Sequence, residues 1–89
     1  MTVPDAVRAY GVVVLTMGRR PAELAAGLES LQAQQGVDLD IIVVGNGWQP
    51  EGLPEGVRAL SLAENVGIPA GRNAGVPFVQ GQLLFFLDD

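Results

Sequence analysis

The sequence ends in two adjacent carboxylates, Asp88 and Asp89, which follow five apolar residues. An apolar run of this length is typical of a buried strand, so both acids are expected at the mouth of a sheet. Two like charges side by side repel each other, and a divalent cation with oxygen ligands would relieve that repulsion. The pair therefore predicts a site for Mg²⁺ or Mn²⁺, where the cation would neutralise diphosphate oxygens. The alternative is a simple polar strand end.

Residues 65–75 read Asn-Val-Gly-Ile-Pro-Ala-Gly-Arg-Asn-Ala-Gly, a segment whose residue types suit a nucleotide. Gly67 permits a tight turn before a helix that Pro69 opens, and the amino end of a helix favours negative charge. Arg72 and Asn73 are expected in the first turns, where a guanidinium and an amide could contact a nucleotide. A cation there opposes the helix dipole, which predicts a carboxylate partner or a ligand for Arg72.

The same segment has a purely structural interpretation. Gly71 and Gly75 are four residues apart, so they fall on one face of the helix. Two small residues on that face would let the helix pack closely against a sheet.

Other polar and aromatic residues also fall where strands are expected to end. Thr16 closes the first strand, and its hydroxyl could contact a base or a ribose. Asn46 lies in a Gly-Asn-Gly turn after the second strand, near the same edge. Trp48 could stack on a ring, although covering a loop is the favoured interpretation. Arg19 and Arg20 could meet phosphates, but a solvated pair is favoured.

Apolar runs and periodicity predict the elements that would position these residues. Strands are expected at residues 10–16, 39–44, 57–62 and 83–87, and helices at residues 21–35 and from 69 to about 79, with Gly36 capping the first. Leu24, Leu28 and Leu31 form the apolar stripe of the first helix. The order β-α-β-β-α-β predicts a parallel, doubly wound α/β sheet, which binds ligands beyond the carboxyl ends of its strands.

The chain is expected to be a single partial domain, residues 1–89, truncated after its fourth strand. A complete doubly wound domain would cover that buried strand with further elements.

Composition excludes several classes of function. The 89 residues carry a net charge of −5, and all five cations are arginines, which excludes a basic surface for nucleic acid. The absence of Cys and His removes thiol nucleophiles, disulfides and imidazole metal ligands. No signal peptide and no transmembrane segment is expected. The predicted location is therefore the cytoplasm, or the membrane periphery in a parent enzyme.

Taken in order, these features resemble the family 2 glycosyltransferases, whose GT-A fold is Rossmann-like. The matching residues are 12–16, 41–47, 65–75 and 83–89, and the Asn-x-Gly-x-x-x-x-Arg-Asn-x-Gly pattern of residues 65–75 is the specific part. Together they span nearly the whole chain from residue 10 onward.

The resemblance implies transfer of a sugar from a nucleotide-diphosphate sugar to a carbohydrate or other glycosyl acceptor, with inversion and with Mg²⁺ or Mn²⁺. The residues that it places in the nucleotide-sugar site are Thr16, Asn46, Arg72, Asn73 and Asp88. Asp88 would be the first acid of an Asp-x-Asp motif, which makes Asp89 its middle residue. A second register, with Asp89 as the metal ligand, stays open.

The sequence departs from the family pattern at Gly45, where an acid that binds the nucleobase is usual. This puts a preference for uracil in doubt, and Asn46 could compensate. The resemblance places the general base and the acceptor pocket in a second half of the domain, so the isolated chain is expected to be inactive.

Two other functions fit parts of the sequence. A sugar-phosphate nucleotidyltransferase has a related α/β front half, but it needs a Gly-x-Gly-x-Arg loop where this chain has a single glycine, Gly18. A non-catalytic binding or assembly module is the other alternative, because an unfinished sheet exposes edges and apolar faces that pair with other chains. Self-association of the chain is therefore a further expectation.

Overall fold

The computed structural model describes residues 8–34, 37–79 and 83–88. Its elements in chain order are β1 (Arg8–Thr16), α1 (Pro21–Gln32), β2 (Val37–Asn46), β3 (Arg58–Leu62), α2 (Ile68–Gly75) and β4 (Leu83–Asp88), with a short 3₁₀ helix (Val76–Phe78) after α2. The order β-α-β-β-α-β predicted from the sequence is confirmed.

The described strands form one parallel sheet in the order β3-β2-β1-β4. From β1 the chain winds to one side through β2 and β3, and it then crosses back to place β4 on the other side. The strand order therefore reverses between β1 and β4, and a reversal of this kind opens a crevice at the carboxyl ends of the strands. The predicted parallel α/β fold is confirmed.

The core lies on both faces of the two central strands. Successive side chains of a strand point to opposite faces, so an unbroken apolar run is stable only where both faces are covered. On one face, α1 packs Leu24 and Leu28 against buried residues of β1 and β2, namely Val12, Val14, Ile41 and Val43. The other face carries Val13, Leu15, Ile42 and Val44, also buried.

Helix α1 is shorter than its sequence pattern predicts. It begins at Pro21 as expected but ends at Gln32, with Ala33 as its C-cap. Leu31 is the last residue of α1 that packs against the core, and the polar residues after it are exposed. No apolar contact therefore stabilises a further helical turn. The cap predicted at Gly36 lies outside the described residues.

Strand β2 is longer than predicted. Gly45 and Asn46 were expected in a turn, but they continue the ladder and pair with Ser61 and Leu62 of β3. The turn comes at Gly47, whose φ of 73° suits a residue without a side chain. Strand β3 pairs with β2 and forms one edge of the described sheet.

Helix α2 begins one residue before the predicted start and stops earlier than residue 79. It spans Ile68–Gly75, and the chain then tightens into the 3₁₀ helix. Pro77 has no amide hydrogen to donate to the turn before it, which explains why the α-helix does not continue.

Strand β4 departs from the expectation of a buried strand. Phe86 is 38% exposed and Leu87 is 43% exposed, on opposite faces of the sheet. Their register partners in β1, Val13 and Val14, are buried. Among the described residues β4 pairs only with β1, so its outer side has no neighbouring strand.

Candidate functional site

A cavity of about 490 Å³ opens at the carboxyl ends of β1 and β2, beside the start of α2. It is lined by Leu15, Thr16, Met17, Asn46, Asn65, Gly67, Ile68 and Pro69. None of these residues is charged. The cavity thus lies at the edge where a doubly wound sheet binds its ligand.

Thr16 lies where the sequence predicts it, at the end of β1. Its side chain is only 1% exposed, and its hydroxyl oxygen accepts a hydrogen bond of 3.0 Å from the backbone N–H of Gly18. Such a bond from a residue two positions on is a local turn that fixes the backbone of the loop. Thr16 therefore shapes the wall of the cavity that Met17 also lines.

Asn46 is buried, and both ends of its side-chain amide hold the loop before α2. Its nitrogen donates to the carbonyl oxygen of Gly67 at 3.2 Å, and its oxygen accepts from the N–H of Val66 at 2.8 Å. Asn65 adds a third bond, because its side-chain oxygen accepts from the N–H of Gly67 at 2.9 Å. Asn46 thus positions the floor of the cavity.

Of the lining residues, only Thr16 and Asn46 were among the residues that the sequence predicted for the nucleotide-sugar site. Asn65 and Met17 both line the cavity and contact each other, because the side-chain nitrogen of Asn65 donates to the sulfur of Met17 at 3.1 Å. Asn65 opens the Asn-x-Gly pattern, so its place in the motif was a usable signal. Nothing in the sequence marks Met17.

The close approach of α2 to the sheet brings its first turn to the cavity. A Cβ atom on Gly71 would lie 2.7 Å from a methyl carbon of Leu15, and one on Gly75 would lie 2.7 Å from a methyl carbon of Val13. Real Cβ atoms do not approach other atoms so closely, so a side chain at either position would force the neighbouring methyl groups to shift. The interpretation of this glycine pair as a packing contact agrees with these distances.

Arg72 lies in the last turn of α2, not in the first turns as expected. A cation near the carboxyl end of a helix is favoured by the dipole, so the argument that the dipole demands a partner was wrong. The guanidinium carbon stands 5.7 Å from the centre of the Phe86 ring, a cation–π distance that turns Arg72 towards β4. Asn73 is exposed, and neither residue lines the cavity.

Of the two predicted metal residues, Asp88 is the last residue of β4, and its backbone pairs in register with Leu15, next to Thr16. Asp89 lies outside the described residues. In the described part of the chain no three acidic side chains lie close enough together to hold a metal ion.

The remaining candidates lie on the other face of the sheet. The indole ring of Trp48 packs over Gly18 and against the core beneath α1, so it covers a loop, as the favoured interpretation had it. Arg19 is exposed, and Arg20 forms an exposed ion pair of 3.5 Å with Glu23.

Fold and site together define a parallel α/β domain whose polar loops converge at the switch point of its sheet. The family model described as "Glycosyl transferase family 2" matches residues 12–89. The match covers most of the chain, and this chain belongs to that family. Comparison with curated proteins and with solved structures gave no match. None of the described helices is long and apolar enough to cross a membrane.

Proposed function

We propose that this chain binds the nucleotide-sugar donor of an inverting, metal-dependent glycosyltransferase. The observation that carries the proposal is the cavity between the ends of β1 and β2 and the start of α2, in a chain that belongs to glycosyl transferase family 2. The acceptor is a carbohydrate or another glycosyl acceptor. We assign no residue of this chain to contacts with the sugar or with the acceptor.

The uncharged part of the donor fits the cavity, and its charged part fits the β4 side of the site. The cavity has no charged lining residue, whereas Arg72 lies over β4 and Asp88 ends that strand. A diphosphate is stabilised by cations, and a guanidinium such as that of Arg72 can form charge-assisted hydrogen bonds with phosphate oxygens. The nucleoside therefore occupies the β1–β2 side, and the diphosphate lies near Arg72, Asn73 and Asp88.

The two carboxylates that end the sequence are suitable ligands for Mg²⁺ or Mn²⁺. Carboxylate oxygens are the ligands that these cations prefer, and Asp88 ends in register with Leu15 at the rim of the cavity. Asp88 and Asp89 would hold the cation, which when bound supplies positive charge against the leaving diphosphate. Because a net charge of −5 repels anions, a bound cation would also favour binding of the diphosphate.

The residues of this chain act on the donor by binding and orienting it. In a single displacement the acceptor oxygen bonds to the anomeric carbon, the bond to the diphosphate breaks, and the diphosphate leaves with the electron pair. The carbon is thereby inverted, and the acceptor proton passes to a base that we assign to no residue here. We accordingly predict that these 89 residues alone bind the donor without transferring its sugar.

Calorimetric titration of UDP, dTDP and GDP, each with and without Mn²⁺, tests this proposal. We expect one diphosphate to bind best, with affinity that falls about tenfold or more without the metal. Arg72→Ala should weaken that binding by a further factor of about 5 to 100, as loss of a charged hydrogen bond does. Arg20→Ala removes the same charge from an exposed position and is the matched control. A folded chain that binds none of the three diphosphates would contradict the proposal.

A further inference from the structure

The turn after β2 folds back onto the end of the sheet and leaves no room for a side chain at position 45. A Cβ atom on Gly45 would overlap the carbonyl oxygen of Trp48 and come within 2.7 Å of Pro50. The hydroxyl of Ser61, the register partner of Gly45, donates to the same carbonyl at 3.4 Å. The backbone of Trp48 thus occupies the space that a side chain at position 45 would need.

The ring of Trp48 fixes a second loop. Gly18 lies directly against the six-membered and five-membered ring junction of the indole, where a Cβ atom would overlap ring carbons. Its φ of 74° is also a conformation that favours glycine. Gly18 is the residue whose N–H binds Thr16, and it follows Met17, so Trp48 presses on the loop that forms one wall of the cavity.

Charge shows which part of a nucleotide meets this wall. The wall belongs to the β1–β2 side of the site, where the cavity lining is uncharged, and Arg72 and Asp88 lie on the β4 side. A neutral wall of fixed position suits an uncharged ring better than a diphosphate, because a buried charge needs a partner.

We infer that Trp48 is the residue that determines which nucleobase this chain prefers. It does so as a positioning residue, because its ring packs against Gly18 and thereby holds the loop whose residues Thr16 and Met17 line the cavity. This inference rests on the proposed function, since it assigns a role in shaping the nucleotide site. Base preference is then a property of the packing between two loops.

The test compares binding of UDP, dTDP and GDP with binding of inorganic pyrophosphate, all with Mn²⁺, to the wild-type chain and three variants. Trp48→Ala should reduce the ratio between the tightest and weakest diphosphate by about fivefold or more, as loss of pocket contacts does. Pyrophosphate has no base, so its affinity should stay within about twofold of the wild type. Trp48→Phe keeps a ring over Gly18, so its ratio between the tightest and weakest diphosphate should lie between those of the wild type and Trp48→Ala.

Leu53→Ala is the matched control. Leu53, like Trp48, packs against the core beneath α1 and lies outside the cavity lining, but the atoms nearest a Cβ on Gly18 all belong to Trp48. Leu53→Ala should leave the ratio unchanged. Trp48 is also the sole tryptophan, so its fluorescence should change with the preferred diphosphate and not with pyrophosphate. The inference is wrong if Trp48→Ala and Trp48→Phe keep the wild-type ratio, or if they weaken pyrophosphate as much as the diphosphates. If the wild type binds pyrophosphate as tightly as every nucleoside diphosphate, the inference fails but a phosphate site remains. If the wild type binds neither pyrophosphate nor any nucleoside diphosphate, the proposed function fails as well.

Discussion

Strand β1 separates two regions that are held together by different means. On its β2 side, side chains are buried, the glycines of α2 press against the sheet, and Asn46 ties strand to loop with two hydrogen bonds. On its β4 side, Phe86 and Leu87 are exposed, and an apolar groove of about 210 Å³ separates Leu87 from α1. Packing fixes the geometry of the first region, whereas the second region exposes charged and apolar side chains that are available to a ligand or to another chain.

This difference separates two tasks of a nucleotide site. Discrimination between similar rings needs walls that do not move, because a missing contact is penalised only where the pocket cannot adjust. Binding a metal and a diphosphate depends on charge, which acts over several ångströms and tolerates looser packing. The rigid region accordingly lies where we place the nucleoside, and the open region lies where we place the diphosphate.

The largest effect is expected where α2 touches the sheet. Gly75→Val should lower the free energy of unfolding by about 3 kcal/mol, because its Cβ would meet methyl groups of both Val13 and Val44. Chemical denaturation with circular dichroism measures the change.

Gly27 provides the matched control in the other helix. Nothing lies within 4 Å of a Cβ at Gly27, so Gly27→Ala should raise stability by about 0.5–1 kcal/mol through helix propensity. Equal effects of the two substitutions would mean that α2 is not held by close contact.

A smaller loss is expected from Asn46→Ala. It leaves the N–H of Val66 and the carbonyl of Gly67 without their partner, at about 1–3 kcal/mol of stability, and it should also weaken nucleotide binding by releasing the cavity floor. Asn73→Ala removes an exposed amide and should change stability by less than about 0.5 kcal/mol. Similar stability losses in the two variants, measured by denaturation, would contradict the positioning role of Asn46.

A smaller effect for each side chain replaced is expected on the β4 side. Replacing both Phe86 and Leu87 by Gln should lower the free energy of unfolding by about 1–3 kcal/mol in total, since each side chain is only partly buried. The same substitutions should reduce self-association of the chain, because exposed apolar strand surface pairs with other copies. Light scattering tests this, and a wild-type chain that stays monomeric at high concentration would exclude the assembly that we predict.

The fold could be predicted from the sequence because its main signals are local. Unbroken apolar runs mark β1 and β2, and Pro21 marks the start of α1. The boundaries that were wrong depend on contacts between distant residues. Asn46, for example, extends β2 because β3 pairs with it.

The sequence indicates where along the chain the site residues lie, but it does not indicate which distant residues they contact. Thr16 and Asn46 were found because they follow apolar runs, but the role of Asn46 depends on Gly67, 21 residues away. The contact between Gly18 and Trp48 likewise joins two loops that no local pattern links. Arg72 lies in the last turn of α2 and not in its first turns, because Pro77 ends the helix earlier than the sequence periodicity indicates.

The central claim is that a metal-bound nucleoside diphosphate occupies the carboxyl edge of this sheet. Paramagnetic broadening of backbone amide signals by Mn²⁺, recorded with and without the preferred diphosphate, tests it most directly. We predict that the diphosphate focuses the broadening on the amides of Leu15, Thr16 and Asp88, while Leu39 and Tyr10, towards the opposite ends of β2 and β1, stay sharp. Broadening that ignores the diphosphate, or that centres on surface acids such as Glu51 and Glu55, would contradict the claim.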